Sequence, residues 1–227
     1  MQHQSPVIER TRGSSLEINK VLKNTYLLLS ATLIFSAAMA GVAMAMNVTM
    51  INPFVWLIVA FALLFAVHKT AESSAGLFLV FAFTGWFGFW AGPIVSMYVS
   101  AVGGGIVVQA LAGTGLIFFG LSGYVLTTKK DFSFMRGFLV AGLMIVFFGS
   151  LFYLIANYFF GFYVSGLSLA ISGLAVLIFS GFILYDTSDI IHGRETNYIR
   201  ATVSMYLNIY NLFMNLLHLL AAFSGDD

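Results

Sequence analysis

The sequence predicts an all-α integral membrane protein of seven transmembrane helices with its N-terminus in the cytoplasm. Three observations carry this: a deficit of charge, seven apolar stretches, and the placement of every basic residue. Of the 227 residues, 60% are hydrophobic and only 8% charged, where soluble domains carry about 25% charged residues. The mean hydropathy of +0.95 is equally high. Such a chain has too few polar residues to cover a core against water, so lipid is the solvent for much of its surface.

Residues 1–24 are polar and hold Arg10, Arg12, Lys20 and Lys23. They read as a flexible cytoplasmic tail ahead of a membrane domain over 25–227. The apolar stretches that follow are 25–46, 51–67, 75–98, 104–126, 137–157, 163–185 and 199–223. A spanning helix needs about 20 residues at about 1.5 Å each, and only 51–67 is short. Ala38-Met39-Ala40 and Ala43-Met44-Ala45 resemble signal-peptidase sites. The long polar lead, and the fitness of small residues for helix packing, favour an uncleaved first helix.

Under this division all ten bases fall on alternate connections. Besides the four in the tail, Lys69 follows the second stretch and Lys129, Lys130 and Arg136 follow the fourth. Arg194 and Arg200 follow the sixth. Lys and Arg in short loops stay cytoplasmic, which puts the tail inside and, after seven crossings, the acidic Asp226–Asp227 end outside. Tyr98, Tyr153, Tyr158 and Tyr163 then mark the outer interface, and Tyr26, Tyr124, Tyr185 and Tyr198 the inner one.

Glycines within the stretches, among them Gly85, Gly88, Gly92, Gly113, Gly120 and Gly123, are expected to let helices approach closely. Pro93, near the outer part of the third helix, is expected to kink it.

Polar residues concentrate in the last quarter. Asp186 ends the sixth stretch and Asp189 follows one turn later. Ser204, Asn208, Asn211, Asn215 and His218 recur at spacings of 4, 3, 4 and 3, which places them on one side of the seventh helix. A stripe rising about 21 Å cannot face lipid; it lines the bundle interior or a watery cavity. In the first case the amides bond neighbouring helices. In the second the stripe is a polar path with Asp186 at its inner mouth. His218 is expected to be a hydrogen-bonded interior residue, because no second metal-ligating group lies at ligand spacing. Asp189, His192, Arg194 and Glu195 crowd one short loop and are expected to be solvated.

Several chemistries are excluded. The net charge is +1 and no basic stripe with interleaved aromatics occurs, so no nucleic-acid partner is expected. With no cysteine there is neither a disulfide framework nor thiolate chemistry. No phosphate loop, zinc motif or nucleotide fingerprint appears, so no cofactor or metal is expected. Gly120-Leu121-Ser122-Gly123 is similar to the serine motif of rhomboid-type proteases, but the only histidine in a stretch suited to be its base, His218, lies at the opposite depth. Tyr185-Asp186 is similar to half of an intramembrane aspartyl protease, but the seventh helix offers Asn208 and no second acid. No catalytic residue is assigned.

The stretches KVLKNTYLLLSATL at 20–33, FAFTG at 81–85, YVLTTKKDFSF at 124–134 and DIIHGRETNYIRATVSMYLNIYNLF at 189–213 resemble the Bax inhibitor-1 (TMBIM) family, and within it the bacterial YccA branch. The resemblance implies six helices surrounding a central seventh, in a multi-pass protein of the bacterial inner membrane. In several family members an Asp at the end of the sixth helix pairs with one on the seventh to control a pH-sensitive calcium leak. Asp186 matches the first, whereas Asn208 stands at the second, within Tyr206-Leu207-Asn208. That departure removes one of two carboxylates whose mutual repulsion would make the switch; Asp189 is a substitute candidate. The branch resemblance implies a different role, that of a non-enzymatic modulator of the membrane-anchored ATP-dependent protease FtsH. Such a protein occupies the protease as a poorly degraded substrate. The expected partners are thus membrane lipid and FtsH, with calcium or protons for the alternative of a cation leak channel.

Overall fold

The computed structural model describes residues 6–162 and 164–224; residues 1–5, Tyr163 and residues 225–227, with the acidic Asp226–Asp227 end, lie outside it. The described residues form α1 (Pro6–Ala45), α2 (Pro53–Thr70), α3 (Ser74–Val102), α4 (Gly105–Thr128), α5 (Arg136–Phe160), α6 (Ser165–Ile191) and α7 (Tyr198–Ser224). One 3₁₀ turn, Ser133–Met135, leads into α5. All seven helices are long and apolar enough to cross a membrane, and no strand occurs among the described residues. The apolar stretches therefore became the expected seven helices.

Two boundaries depart from expectation. The segment read as a flexible tail is helical from Pro6 onward and continuous with the first span. Its residues include the good helix formers Glu9, Arg10, Arg12, Leu16, Glu17 and Lys20. Extending a helix that the span has already nucleated costs far less than starting one. The second departure is α6, which runs to Ile191, so that Asp189 sits on the helix and not in the loop after it.

The helices pack in two units. The first comprises α1, α2, α3 up to Ile94, the end of α6 from Asp186, and α7 as far as Tyr206; the second runs from Val95 to Tyr185 and resumes at Leu207. In the first unit α3 lies close against α1 through its glycines. A Cβ at Gly88 would collide with the Ser36 carbonyl, one at Gly85 would sit 2.7 Å from the Phe35 ring, and one at Gly92 would sit 2.7 Å from the Ala40 oxygen. α7 enters this unit buried on all sides, with Ile199, Ala201, Thr202, Val203, Met205 and Tyr206 all buried.

In the second unit Gly142 admits Ile178 of α6, and Gly181 admits Leu139 of α5 at 2.5 Å from its absent Cβ. Gly120 and Gly123 behave otherwise than expected: nothing lies within 4 Å of a Cβ at either. Gly120 is exposed and Gly123 half-buried, while Ser122 between them is buried.

This contrast is testable. Gly88→Ala drives a methyl into a backbone carbonyl that cannot move aside, and should cost about 2 kcal/mol of stability, as overpacking does. Gly120→Ala should be neutral or slightly stabilising, because it removes only the helix penalty of glycine. Unfolding of both variants by titrated denaturing detergent, against the parent chain, measures the difference.

Candidate functional site

The α6–α7 turn is organised by its backbone before its side chains. Gly193 has φ +69°. Its N–H donates to the Ile190 carbonyl at 3.0 Å, and the Arg194 N–H donates to that of Asp189 at 2.9 Å. This is a Schellman cap, and it needs a residue in the left-handed region where glycine stands. The reversal folds Arg194 back along α6, where its Nε donates to Asp189 Oδ1 at 2.6 Å and a terminal nitrogen to Ser188 Oγ at 3.3 Å. Asp189 was expected to be solvated. Its side chain is instead only 17% exposed and ion-paired, because the helix continues past it and the cap delivers the guanidinium to it.

Asn197 then starts α7 as its N-cap. Its Oδ1 accepts from the N–H groups of Ile199 (2.9 Å) and Arg200 (3.1 Å), the pattern that satisfies otherwise orphaned donors. Its Nδ2 donates to the Ala71 carbonyl at 2.9 Å, which ties the start of α7 to the α2–α3 turn. Arg200 pairs with Glu195 at 3.6 Å and with the exposed Glu72 at 3.9 Å. Asp186, one turn before Asp189, is half-buried, and its Oδ2 accepts a 2.6 Å hydrogen bond from Ser204. The structure thus joins Asp186 to the first member of the α7 stripe and Asp189 to Arg194.

Deeper in the first unit lies a cluster that the sequence reading missed. Tyr206 is fully buried, and its hydroxyl donates to the Thr84 carbonyl at 3.1 Å. Ser36 Oγ is 2.7 Å from the same oxygen. The single phenolic proton is committed to Thr84, so Ser36 is the donor in that bond. One turn earlier on α7, Thr202 Oγ1 reaches the Tyr198 carbonyl (2.7 Å) and, at 3.3 Å, the Thr25 carbonyl of α1. Thr202 and Tyr206 occupy the side of α7 opposite Ser204 and Asn208. Polar residues on two opposed faces of one apolar helix were the available signal, since only a helix enclosed all round can satisfy both.

In the second unit, Asn208 is buried and His218 half-buried. His218 Nδ1 is 2.8 Å from Ser172 Oγ of α6, and its ring lies beside Tyr98. Of the two readings of the stripe, Asn211 and Asn215 do not follow the one in which the amides bond neighbouring helices. Their amide nitrogens donate to the carbonyls one turn back, Leu207 and Asn211, each at 2.8 Å. A carboxamide in an apolar bundle takes the nearest acceptor, and the carbonyl four residues earlier is always within reach.

Chemically, the arrangement is rich in structural hydrogen bonds. Ser172 Oγ and His218 Nδ1 are within hydrogen-bonding distance, with the Tyr98 ring beside the imidazole. No cluster of three or more potential metal ligands occurs among the described residues.

Comparison with known proteins extends these observations. The family model described as "Inhibitor of apoptosis-promoting Bax1" matches residues 18–225. A membrane protein of Vibrio cholerae is 49% identical over 98% of this chain and 99% of its own length. A protein of Escherichia coli K12 named "Modulator of FtsH protease YccA" is 46% identical, covering 95% of each chain. An uncharacterized Pseudomonas aeruginosa protein is likewise 46% identical over the full length of both. With seven spanning helices and a match over nearly its whole length, this chain is a multi-pass membrane protein that belongs to the Bax inhibitor-1 family.

Proposed function

We propose that this protein is an inner-membrane modulator of the FtsH ATP-dependent protease, acting without catalysis of its own as a substrate that the protease engages but degrades poorly. The observation that carries this reading is 46% identity, over 95% of both chains, to the Escherichia coli protein named for that role. The fold supports it physically. α1 is 40 residues long, or about 60 Å, roughly twice the hydrocarbon thickness. Its leading half therefore projects from the bilayer, on the side that the basic residues assign to the cytoplasm, where an unfoldase can grip it.

A chain seized by that end resists extraction through α1. Ile18 packs against Gly193, the Thr25 carbonyl accepts from Thr202, and Ser36 bonds Tyr206 beneath the close approach of Gly88. These contacts are spread along the helix axis, so withdrawal must break them together.

The alternative is a pH-sensitive cation leak governed by Asp186, Asp189 and Asn208. It has weaker support. Asn208 brings no carboxylate, Asp189 is committed to Arg194, and Asp186 is committed to Ser204.

Overproduction should lengthen the half-life of a membrane substrate of the protease, and removal of residues 2–19 should abolish that effect while leaving the membrane domain folded. If neither form slows turnover, the proposal fails. Tyr206→Phe leaves the Thr84 carbonyl and Ser36 without their shared partner. It should cost about 1–3 kcal/mol and shorten the protein's own half-life in the presence of active protease, though not in its absence. In dye-loaded vesicles, the reconstituted chain should give the same calcium trace at pH 6 and pH 8, unchanged by Asp186→Asn. A proton-dependent flux lost in that variant would establish the leak instead.

A further inference from the structure

The bases of this chain are not all treated alike. Arg194 and Arg200 are neutralised by carboxylates. At the α4–α5 turn, by contrast, Lys129 and Arg136 are exposed, and among the described residues neither side chain has a hydrogen-bonding or ion-pairing partner. Lys130 stands between them in the chain, its Nζ donating to Tyr124 Oη at 2.9 Å and lying 5.6 Å from the centre of that ring. That hydrogen bond raises the ammonium pKa above its ordinary value. The one acid of the turn, Asp131, accepts from the Ser133 N–H at 2.8 Å, so it shapes the turn's backbone. The segment from Lys129 to Arg136 keeps three bases against that single acid.

The turn is also built, not loose. Lys129 adopts φ +53° and caps α4 by donating its N–H to Val125. Phe132 packs edge-on to Tyr124, and Phe134 lies beside Phe132. Phe134 and Phe138 are 78% and 68% exposed. They begin a row that continues through Ile145, Phe148 and Phe152, all exposed, at spacings of four, seven, three and four that keep to one helix face. This is the lipid-facing side of α5, and it starts two residues before Arg136. Acyl chains lying along it would bring a headgroup level with the bases. Exposed aromatic rings beside lysine and arginine are how membrane proteins meet the interface.

We propose that the α4–α5 turn is a binding site for an anionic phospholipid, its phosphate held by Lys129, Lys130 and Arg136 and its acyl chains lying on Phe134 and Phe138. Tyr124 is a positioning residue, aiming the Lys130 ammonium. The site does not depend on any role towards a protease.

The test uses the full-length chain in neutral detergent, titrated with short-chain phosphatidylglycerol or phosphatidylcholine and followed by native mass spectrometry. Phosphatidylglycerol should bind in preference. Lys129→Gln and Arg136→Gln should each weaken it about fivefold, the worth of one basic charge at an anionic surface. Phe134→Ser should weaken it with no change of charge. A Lys20→Gln, Lys23→Gln variant, which removes equal charge elsewhere, should bind as the parent does, and circular dichroism verifies that every variant keeps its helices. The proposal is overturned if both lipids bind equally, if the Lys129→Gln, Arg136→Gln double variant binds as tightly as the parent, or if the Lys20, Lys23 control loses as much. Displacement by an equal concentration of inorganic phosphate would also overturn it, identifying a phosphate site and not a lipid one.

Discussion

A hydroxyl or amide placed inside a lipid-embedded bundle has no water to fall back on, and each one left unpaired costs several kcal/mol. The first packing unit is arranged around that constraint. Tyr206 brings a phenol to a position with no solvent exposure, and two other helices must supply its partners. α3 presents the Thr84 carbonyl and α1 presents Ser36. For both to reach one oxygen, α1 and α3 must lie almost in backbone contact, which is what Gly85, Gly88 and Gly92 permit. The glycine spacing, the threonine and serine positions and the tyrosine are thus a single requirement written at three places in the chain.

The same logic governs the turn between α6 and α7. Two acids one helical turn apart, near the end of a spanning segment, would repel each other if both were left to find solvent. Each is instead given its own donor, Ser204 for Asp186 and Arg194 for Asp189. The left-handed Gly193 makes the second possible by reversing the chain tightly enough for a residue five positions on to return to the helix. Asn197 caps the next helix and also fastens the α2–α3 turn at Ala71. Exposed ion pairs contribute little by themselves; the value of this network lies in fixing where α7 begins, and so the register of everything Tyr206 must meet.

The fold was largely readable in the sequence because lipid imposes a simple code. Apolar length marked each span to within a few residues, except where α1 and α6 ran on into polar sequence. Hydropathy reports where a helix can be buried in lipid, not where its backbone hydrogen bonding stops, so helical extensions into water are invisible to it. The candidate site was read in part. Ser204, Asn208, Asn211, Asn215 and His218 all lie on α7, and Ser204 bonds Asp186. Periodicity shows which residues share a face but not whether their amides bond outward or back to their own helix, as Asn211 and Asn215 do. A tyrosine in an apolar helix reads as an aromatic, and only the packing of α1 and α3 around it shows that the Tyr206 hydroxyl sits between Ser36 and Thr84. Gly120 and Gly123 carried the opposite error: small residues signal close packing only when another helix is present to use the space.

The direction in which α1 is held bears on how such a protein would meet a pulling enzyme. Force applied to the leading end of α1 acts along the helix axis. The contacts that hold α1 lie at successive levels along that axis, at Ile18, Thr25, Ser36 and the Gly88 crossing. Bonds arranged in this way share the load, so rupture requires them to fail nearly at once. Bonds pulled at right angles to a row would fail one after another. Each broken polar contact would also leave a carbonyl or hydroxyl unpaired in an apolar interior, which steepens the cost of the first displacement. A helix continuous from Pro6 to Ala45 transmits force to these contacts without a slack linker to absorb it. Under the proposed role, a pull on the leading end of α1 therefore meets a stiff first step before any contact yields.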